Sequence, residues 1–370
     1  MATLDSTLRF PAQAVEGRPA GGIRFDLPVA ILSAWLVVGT YLDGFVHHNL
    51  PGTIESFFTI WHAMLYSGFF AVAAFIVFHQ ARNMLRGHAW NKALPAGYGL
   101  SLLGVPFFIV AGVGDLMWHT IFGFEVGVEA LLSPTHLMLA TAALMIVSGP
   151  LRAALGRAQS GSKPAWADMA PAALSMLLML SLFTFFTDYT NILAAPFLVI
   201  ENPAPALSAP VVPNPVAGAF RYNREAQGLA GVFIPSALVV GILLICLRRR
   251  ALPVGAVTLI VSGNGLMMAG FHYHEMTAYP QALVPLLAGG LMAEVLYGWL
   301  RPSLARPVQM ALFAFLVPFA MYGLFFAVIV STAGVWWSIH MWTGAIFLAG
   351  AVGLLLSFLA LPSPAPEMAA

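Results

Sequence analysis

The fold class this sequence predicts is all-α: a polytopic integral membrane protein of about ten transmembrane helices, with both termini on the cytoplasmic side. Three observations predict it. Of 370 residues, 60% are hydrophobic and 8% charged, with a mean hydropathy of +0.85, whereas a soluble domain carries about 25% charged residues. Ten apolar stretches reach the length, roughly 20 residues, that a helix needs to cross the hydrocarbon core. Lys and Arg gather in alternate connections, which sets orientation by the positive-inside rule.

Taken in order, residues 1–27 are polar and mixed and form a cytoplasmic segment. They contain no apolar run ending in a small-residue cleavage site, so no secretory signal is expected. Spans follow at about 28–46, 56–80, 96–117, 129–149 and 168–190, a front bundle over 28–190. Residues 191–225 form a Pro-rich extracytoplasmic loop whose stretch "ENPAPALSAPVVPNPVAGAF" favours extended chain. A back bundle over 226–361 holds spans at about 226–247, 252–273, 279–300, 307–331 and 335–361, and 362–370 is a cytoplasmic tail. None of the spans alternates with the two-residue period of a barrel strand.

Arg9, Arg18 and Arg24 precede the first span. Arg82, Arg86 and Lys92 follow the second, Arg152, Arg157 and Lys163 the fourth, Arg248 to Arg250 the sixth, and Arg301 and Arg306 the eighth. The intervening connections carry only Arg221 and Arg224. This pattern fits a bacterial inner (plasma) membrane protein. A net charge of +1 gives no case for nucleic-acid binding. The single cysteine, Cys246, excludes an intramolecular disulfide framework and a Cys-rich metal site. It reads as helix filler, with palmitoylation beside Arg248 to Arg250 as the alternative.

The polar residues are not spread evenly. His79 and His88 fall on the cytoplasmic side. His47, His48, His62, His119, His136, His272, His274 and His340 fall at or near outer helix ends, together with Asp43, Asp115, Asp188, Glu55, Glu125, Glu129 and Glu275. An ionisable group at the centre of a span costs about 2.5–3.5 kcal/mol. The gathering of so many on one side is therefore informative.

Two sets share one form. In "YLDGFVHHNL", Asp43 and His47 are four apart and lie on one helical face. His62 then starts the next, antiparallel span at nearly the same depth. In "GVGDLMWHTI", Asp115 and His119 repeat the spacing, and His136 follows early in the next span. Imidazole and carboxylate suit zinc, copper or iron, and two His with one carboxylate also match the facial triad of non-haem iron. Ligand type alone leaves the metal open. The bland alternative is a helix-end ion pair or an interfacial, snorkelling histidine. His48 reads as an interfacial or supporting residue, and Glu125 and Glu129 as loop or helix-start residues. Trp61 and Trp118 flank ligands and read as packing.

In the back half, "GFHYHEM" places His272 and His274 two apart, so on a regular helix they diverge by about 200°. Both reach one metal only if the helix has ended there. His340, in "WWSIHMW", starts the last span at a similar depth, so His272, His274, Glu275 and His340 form a possible third metal or support group. The alternative is an aromatic belt with incidental histidines. Asn264, between Gly263 and Gly265, marks a helix break or close packing, and Glu294 pairs at most with a backbone group.

These motifs resemble the metal-binding helices in one membrane component of the particulate methane and ammonia monooxygenases, the copper membrane monooxygenase family. The stretch "DGFVH" followed by His62, and "DLMWHTIFGFEVGVEALLSPTH" with Asp115, His119, Thr120, Glu129, Pro134 and His136, carry the resemblance. It covers roughly residues 40–145. Asp115 stands where the family has Asn, the spacing is not identical, and residues 226–361 have no counterpart there. The resemblance implies one copper at Asp43, His47 and His62 and another at Asp115, His119 and His136.

The expected function is copper-dependent oxidation of a small apolar substrate by dioxygen, monooxygenase-type, at an extracytoplasmic-side metal site. Glu55, Glu125 and Glu129 would support ligands or handle protons. Membrane lipid is the expected surrounding, and partner subunits or a homo-oligomer are open. The alternatives are a copper or zinc binding or transport subunit without catalysis, a b-type haem protein with His62 and His136 or His272 and His340 as axial pairs, and a zinc-dependent membrane hydrolase.

Overall fold

A computed structural model describes residues 15–50, 56–125, 127–157, 164–194, 198 and 215–361, with side chains in the last block from 222 onward. The described elements are helical. They are α1 (Ile23–Asn49), α2 (Ile60–Leu85), α3 (Gly99–Phe122), α4 (Val128–Leu132), α5 (Pro134–Val147), α6 (Gly149–Gly156), α7 (Trp166–Phe186), α8 (Pro215–Leu247), α9 (Ala256–Phe271), α10 (Tyr273–Ala278), α11 (Leu283–Leu300), α12 (Pro307–Thr332) and α13 (Ile339–Ala360).

Among the described residues, nine helical stretches are long and apolar enough to cross a bilayer. The expected span at 252–273 is different: α9 has 16 residues, about 24 Å at 1.5 Å per residue. It nevertheless runs the length of α7. At its start, Trp166 Nε1 donates to Val254 O at 3.1 Å. At its end, His272 faces Asp188, just beyond the end of α7, at 3.3 Å. Glu294 lets so short a helix begin inside the fold. Its carboxylate accepts from Gly255 N at 2.8 Å and Thr258 N at 3.1 Å, satisfying donors that a helix start leaves open and matching the dipole.

The expected fourth span, 129–149, is interrupted. Ser133 is extended (φ −60°, ψ 144°) and Pro134 opens α5, because a residue before proline is pushed out of the helical region while proline suits the first helical position. The short α4 therefore lies apart, and His136 falls in the first turn of α5.

Close backbone approach sets the front bundle. A Cβ on Gly39 would lie 2.6 Å from Leu65 Cα, and one on Gly68 would lie 2.6 Å from Leu36 N. The α1–α2 seam is thus built from small residues, which is how helices associate when lipid supplies no hydrophobic drive. Two apolar cores result, one among α1, α2, α3 and α5, the other among α8, α9 and α11 to α13. The helix α7 serves both, with Leu182 and Phe185 in the first and Met176 and Leu180 in the second. Cys246 is buried in the second core, in line with its reading as filler. Asn264 accepts from Thr184 Oγ1 at 2.7 Å, and a Cβ on the adjoining Gly265 would meet Leu286 O at 2.8 Å. That is close packing rather than a break.

The Arg-rich end carries its own clasp. Asp26 is fully buried and pairs with Arg157 Nη1 at 2.6 Å, while Tyr98 Oη donates to it at 2.7 Å. These contacts join α1 to the start of α3 and the end of α6.

Candidate metal centre

The helix stripe that packs α1 on α2 continues upward into chemistry. Gly39, Asp43 and His47 are spaced by four, so they share one face. Because Gly39 lies against α2, Asp43 and His47 do too, next to the first turn of α2. There Asp43 Oδ2 lies 3.9 Å from His47 Nε2 and 3.7 Å from His62 Nε2. Thr59 caps α2, accepting from His62 N at 3.1 Å, and the same hydroxyl lies 3.1 Å from His62 Nδ1. One residue starts the helix and orients the ring.

The second set is built the same way on α3 and α5. Gly104, Phe108, Ala111, Asp115 and His119 are all buried, and they trace the stripe of α3 that faces α5. Asp115 Oδ1 lies 3.6 Å from His119 Nε2 and 3.1 Å from His136 Nε2. Thr135 Oγ1 donates to the same oxygen at 2.8 Å. The far nitrogens are anchored: His136 Nδ1 to Ala130 O, and His119 Nδ1 beside Gly123 O and Glu125, both at 3.3 Å. Trp118 Nε1 in turn donates to Glu125. In both sets Nε2 faces the shared carboxylate. For His62, His119 and His136 the protein also holds Nδ1, an arrangement that fixes tautomer and ring orientation in metal-ligating histidines.

A third group forms where α1, α7 and α9 end together. His48 Nε2 and His272 Nδ1 lie 3.3 and 3.6 Å from Glu275 Oε1, and His272 Nε2 lies 3.3 Å from Asp188 Oδ2. The His272 ring, then the His48 ring, hold the Glu275 carboxyl below the ordinary carboxylate range. Each of three sets, Asp43–His47–His62, Asp115–His119–His136 and His48–His272–Glu275, places one ligand atom per residue within 4.8 Å of the others and could hold a metal ion.

All three sets contribute to the wall of a single cavity of about 380 Å³. Below the histidines the wall is mostly apolar, including Leu65, Phe108, Leu139, Ala143, Leu182 and Phe185, with Thr40 as a polar exception. Ala143 is seven residues inward from His136 and Phe108 eleven from His119, so the pocket reaches about 10–16 Å into the bundle. Arg224 and Gln227 of α8 stand at its mouth, and Gln227 Nε2 donates to Tyr189 O at 2.7 Å.

Not every expected residue joins. Glu55 lies outside the described residues. Glu129 is exposed on α4, because the break at Ser133 turns α4 away from α5, so of the three expected supporting carboxylates only Glu125 is seen at a ligand. The helix does end at His272 (φ −90°, ψ 47°), yet His274 then falls on the exposed side of α10, and His340 is exposed at the start of α13. His272 instead meets His48 and Asp188. Neither pairing was readable from local spacing, and the same holds for His48 and Glu275, which meet across 227 residues. Thr59 and Thr135 did leave a signal, a hydroxyl residue three before His62 and one before His136.

No family model matches the chain, and neither a curated protein nor a solved structure matches it.

Proposed function

We propose that this membrane protein is a copper-dependent oxidase of a small apolar molecule, monooxygenase-type, with its chemistry in the cavity under the histidine layer on the extracytoplasmic side. The observation that carries the reading is a pair of Asp–His–His sets, each able to hold an ion, whose members Asp43, His47, His119 and His136 line one deep, largely apolar cavity. Asp43, His47 and His62 would hold one ion, and Asp115, His119 and His136 another. Two imidazoles and a carboxylate leave coordination positions open, and a copper ion there would supply dioxygen activation. The protein's part is to hold the rings, through Thr59, Glu125 and the Ala130 carbonyl, and to keep water from the apolar floor. The cavity size suits a small apolar molecule, since its inner wall is mostly apolar and the Thr40 hydroxyl that joins it is committed to Leu36 O. The resemblance of residues 40–145 to the particulate methane and ammonia monooxygenases points the same way and rests on the motif alone.

Two rival readings find less support. A transport route needs polar groups running toward the cytoplasm, and Asn264 and Glu294 are both occupied in structural hydrogen bonds. An axial haem pair of His62 and His136 would draw each ring from its own carboxylate.

The test is copper content, electron paramagnetic resonance and substrate-dependent dioxygen uptake of the purified full chain. Wild type should bind copper and consume dioxygen with a short hydrocarbon. His62→Ala and His136→Ala should each lose one equivalent of copper, and activity should fall at least tenfold in one of them. Folded wild-type protein that takes up no copper, or a haem spectrum, would overturn the reading.

A further inference from the structure

We propose that His48, His272 and Glu275 form a separate site for a divalent transition cation that ties the front and back bundles together. The site shares no ligand with the two sets above. Its residues come from the end of α1, the break after α9 and the first turn of α10, so it joins α1 of the front bundle to α9 and α10 of the back bundle. Three observations point to a cation. One ligand atom from each residue lies within 4.8 Å of the others. His272 is 3% exposed, and both of its ring nitrogens are buried without a hydrogen bond of good geometry, as is Glu275 Oε2. The carboxylates facing the ring stand at 3.3 Å (Asp188) and 3.6 Å (Glu275), long for hydrogen bonds, and the Nδ1–Glu275 gap is wide enough to take an ion between its two atoms. Third, Asp188 stands 3.3 Å from His272 Nε2 while Nδ1 faces Glu275. This is the order carboxylate, histidine, metal, in which the outer carboxylate orients the ring and raises its basicity.

The break at His272 is what makes the site. At the break (φ −90°, ψ 47°) the His272 ring packs edge-on to the His48 ring, with centroids 5.0 Å apart, while its Nδ1 faces Glu275. Two imidazoles and one carboxylate suit zinc, copper(II) or iron(II) and disfavour calcium and magnesium, which take all-oxygen shells. His48 is about one-third exposed, so the ion enters from the aqueous side.

Zinc alone is the probe, added to metal-stripped full-length protein in detergent. The His62→Ala/His136→Ala background removes a ring from each of the other sets, so failure of the copper reading leaves this test intact. That background should still bind one equivalent of zinc, and the ion should raise its thermal midpoint. Adding Glu275→Gln, or His48→Ala at the exposed edge, should remove the equivalent and the zinc-dependent shift, with the metal-free midpoint little changed. Asp188→Asn should keep the equivalent but weaken it about tenfold or more. A folded background variant that binds no zinc, or one whose zinc persists through Glu275→Gln and His48→Ala alike, would refute the site.

Discussion

At the residue scale, the site depends on which nitrogen of each ring is free. Thr59 serves both the helix start and the His62 ring. Thr59→Val should therefore cost about 1 kcal/mol of stability as a lost cap. It should also weaken metal at the first set by about 10–100-fold, the usual effect of removing an outer partner. Thr59→Ser keeps the hydroxyl and should restore both. A metal titration of the two variants decides: equal affinity in Val and Ser would mean that the hydroxyl does not orient the ring. One side chain, Phe57, lies against both of the first two sets. Phe57 stacks on His62 at 4.7 Å and lies 6.2 Å from His119, an apolar ring against an imidazole of each set. A dinuclear site would need its ions about 3.5–4 Å apart. The expectation is two independent sites, so His62→Ala should leave the metal of the Asp115 set in place. Metal per chain in that variant is the check, and loss of all metal would show coupling.

At the element scale, the seam between α1 and α2 positions chemistry one and two turns above it. Gly39→Leu would push side-chain volume into the Leu65 backbone, an overpacking cost of about 1–3 kcal/mol. The shift would carry Asp43 away from His62. The expected result is a protein that loses metal from the first set and keeps it in the second, measured as metal per chain after gel filtration. The start of α9 offers a second test. Glu294→Ala removes the acceptor for Gly255 N and Thr258 N and should lower stability by about 0.5–2 kcal/mol, as lost helix caps do. Glu294→Gln keeps an acceptor and should recover part of it. An unchanged thermal midpoint in the Ala variant would show that solvent caps this helix equally well.

At the scale of the whole molecule, the histidine layer and the Arg-rich layer are opposite ends of one bundle. The Lys and Arg distribution predicts that the histidine end faces out. Cysteines placed at the exposed Phe58 and Val128 should react with an impermeant reagent in intact cells. Those placed at the exposed Arg86 and Val254 should react only after lysis. Native Cys246 is buried and should stay silent. The reverse pattern would invert the molecule and put the cavity mouth in the cytoplasm.

What was legible in the sequence follows from local rules. Apolar runs of bilayer length announced the helices, because every backbone polar group in lipid must be satisfied within the chain. The D-x3-H spacing announced the two sets, because residues four apart share a helix face and a short turn returns the next span at the same depth. Long-range partnerships had no such signature. The helix α9 stayed shorter than the expected span, starting at Ala256 beside the Glu294 carboxylate and ending at the break at His272. Glu129 turned away because Pro134 broke its helix. His272 turned from His274 and His340 toward His48 and Asp188 because three helix ends meet there. That meeting depends on how α1, α7 and α9 pack through Phe185 and Phe271, whose ring centroids lie 5.2 Å apart. A convergence of that kind is a property of the packed bundle, and no window of the sequence contains it.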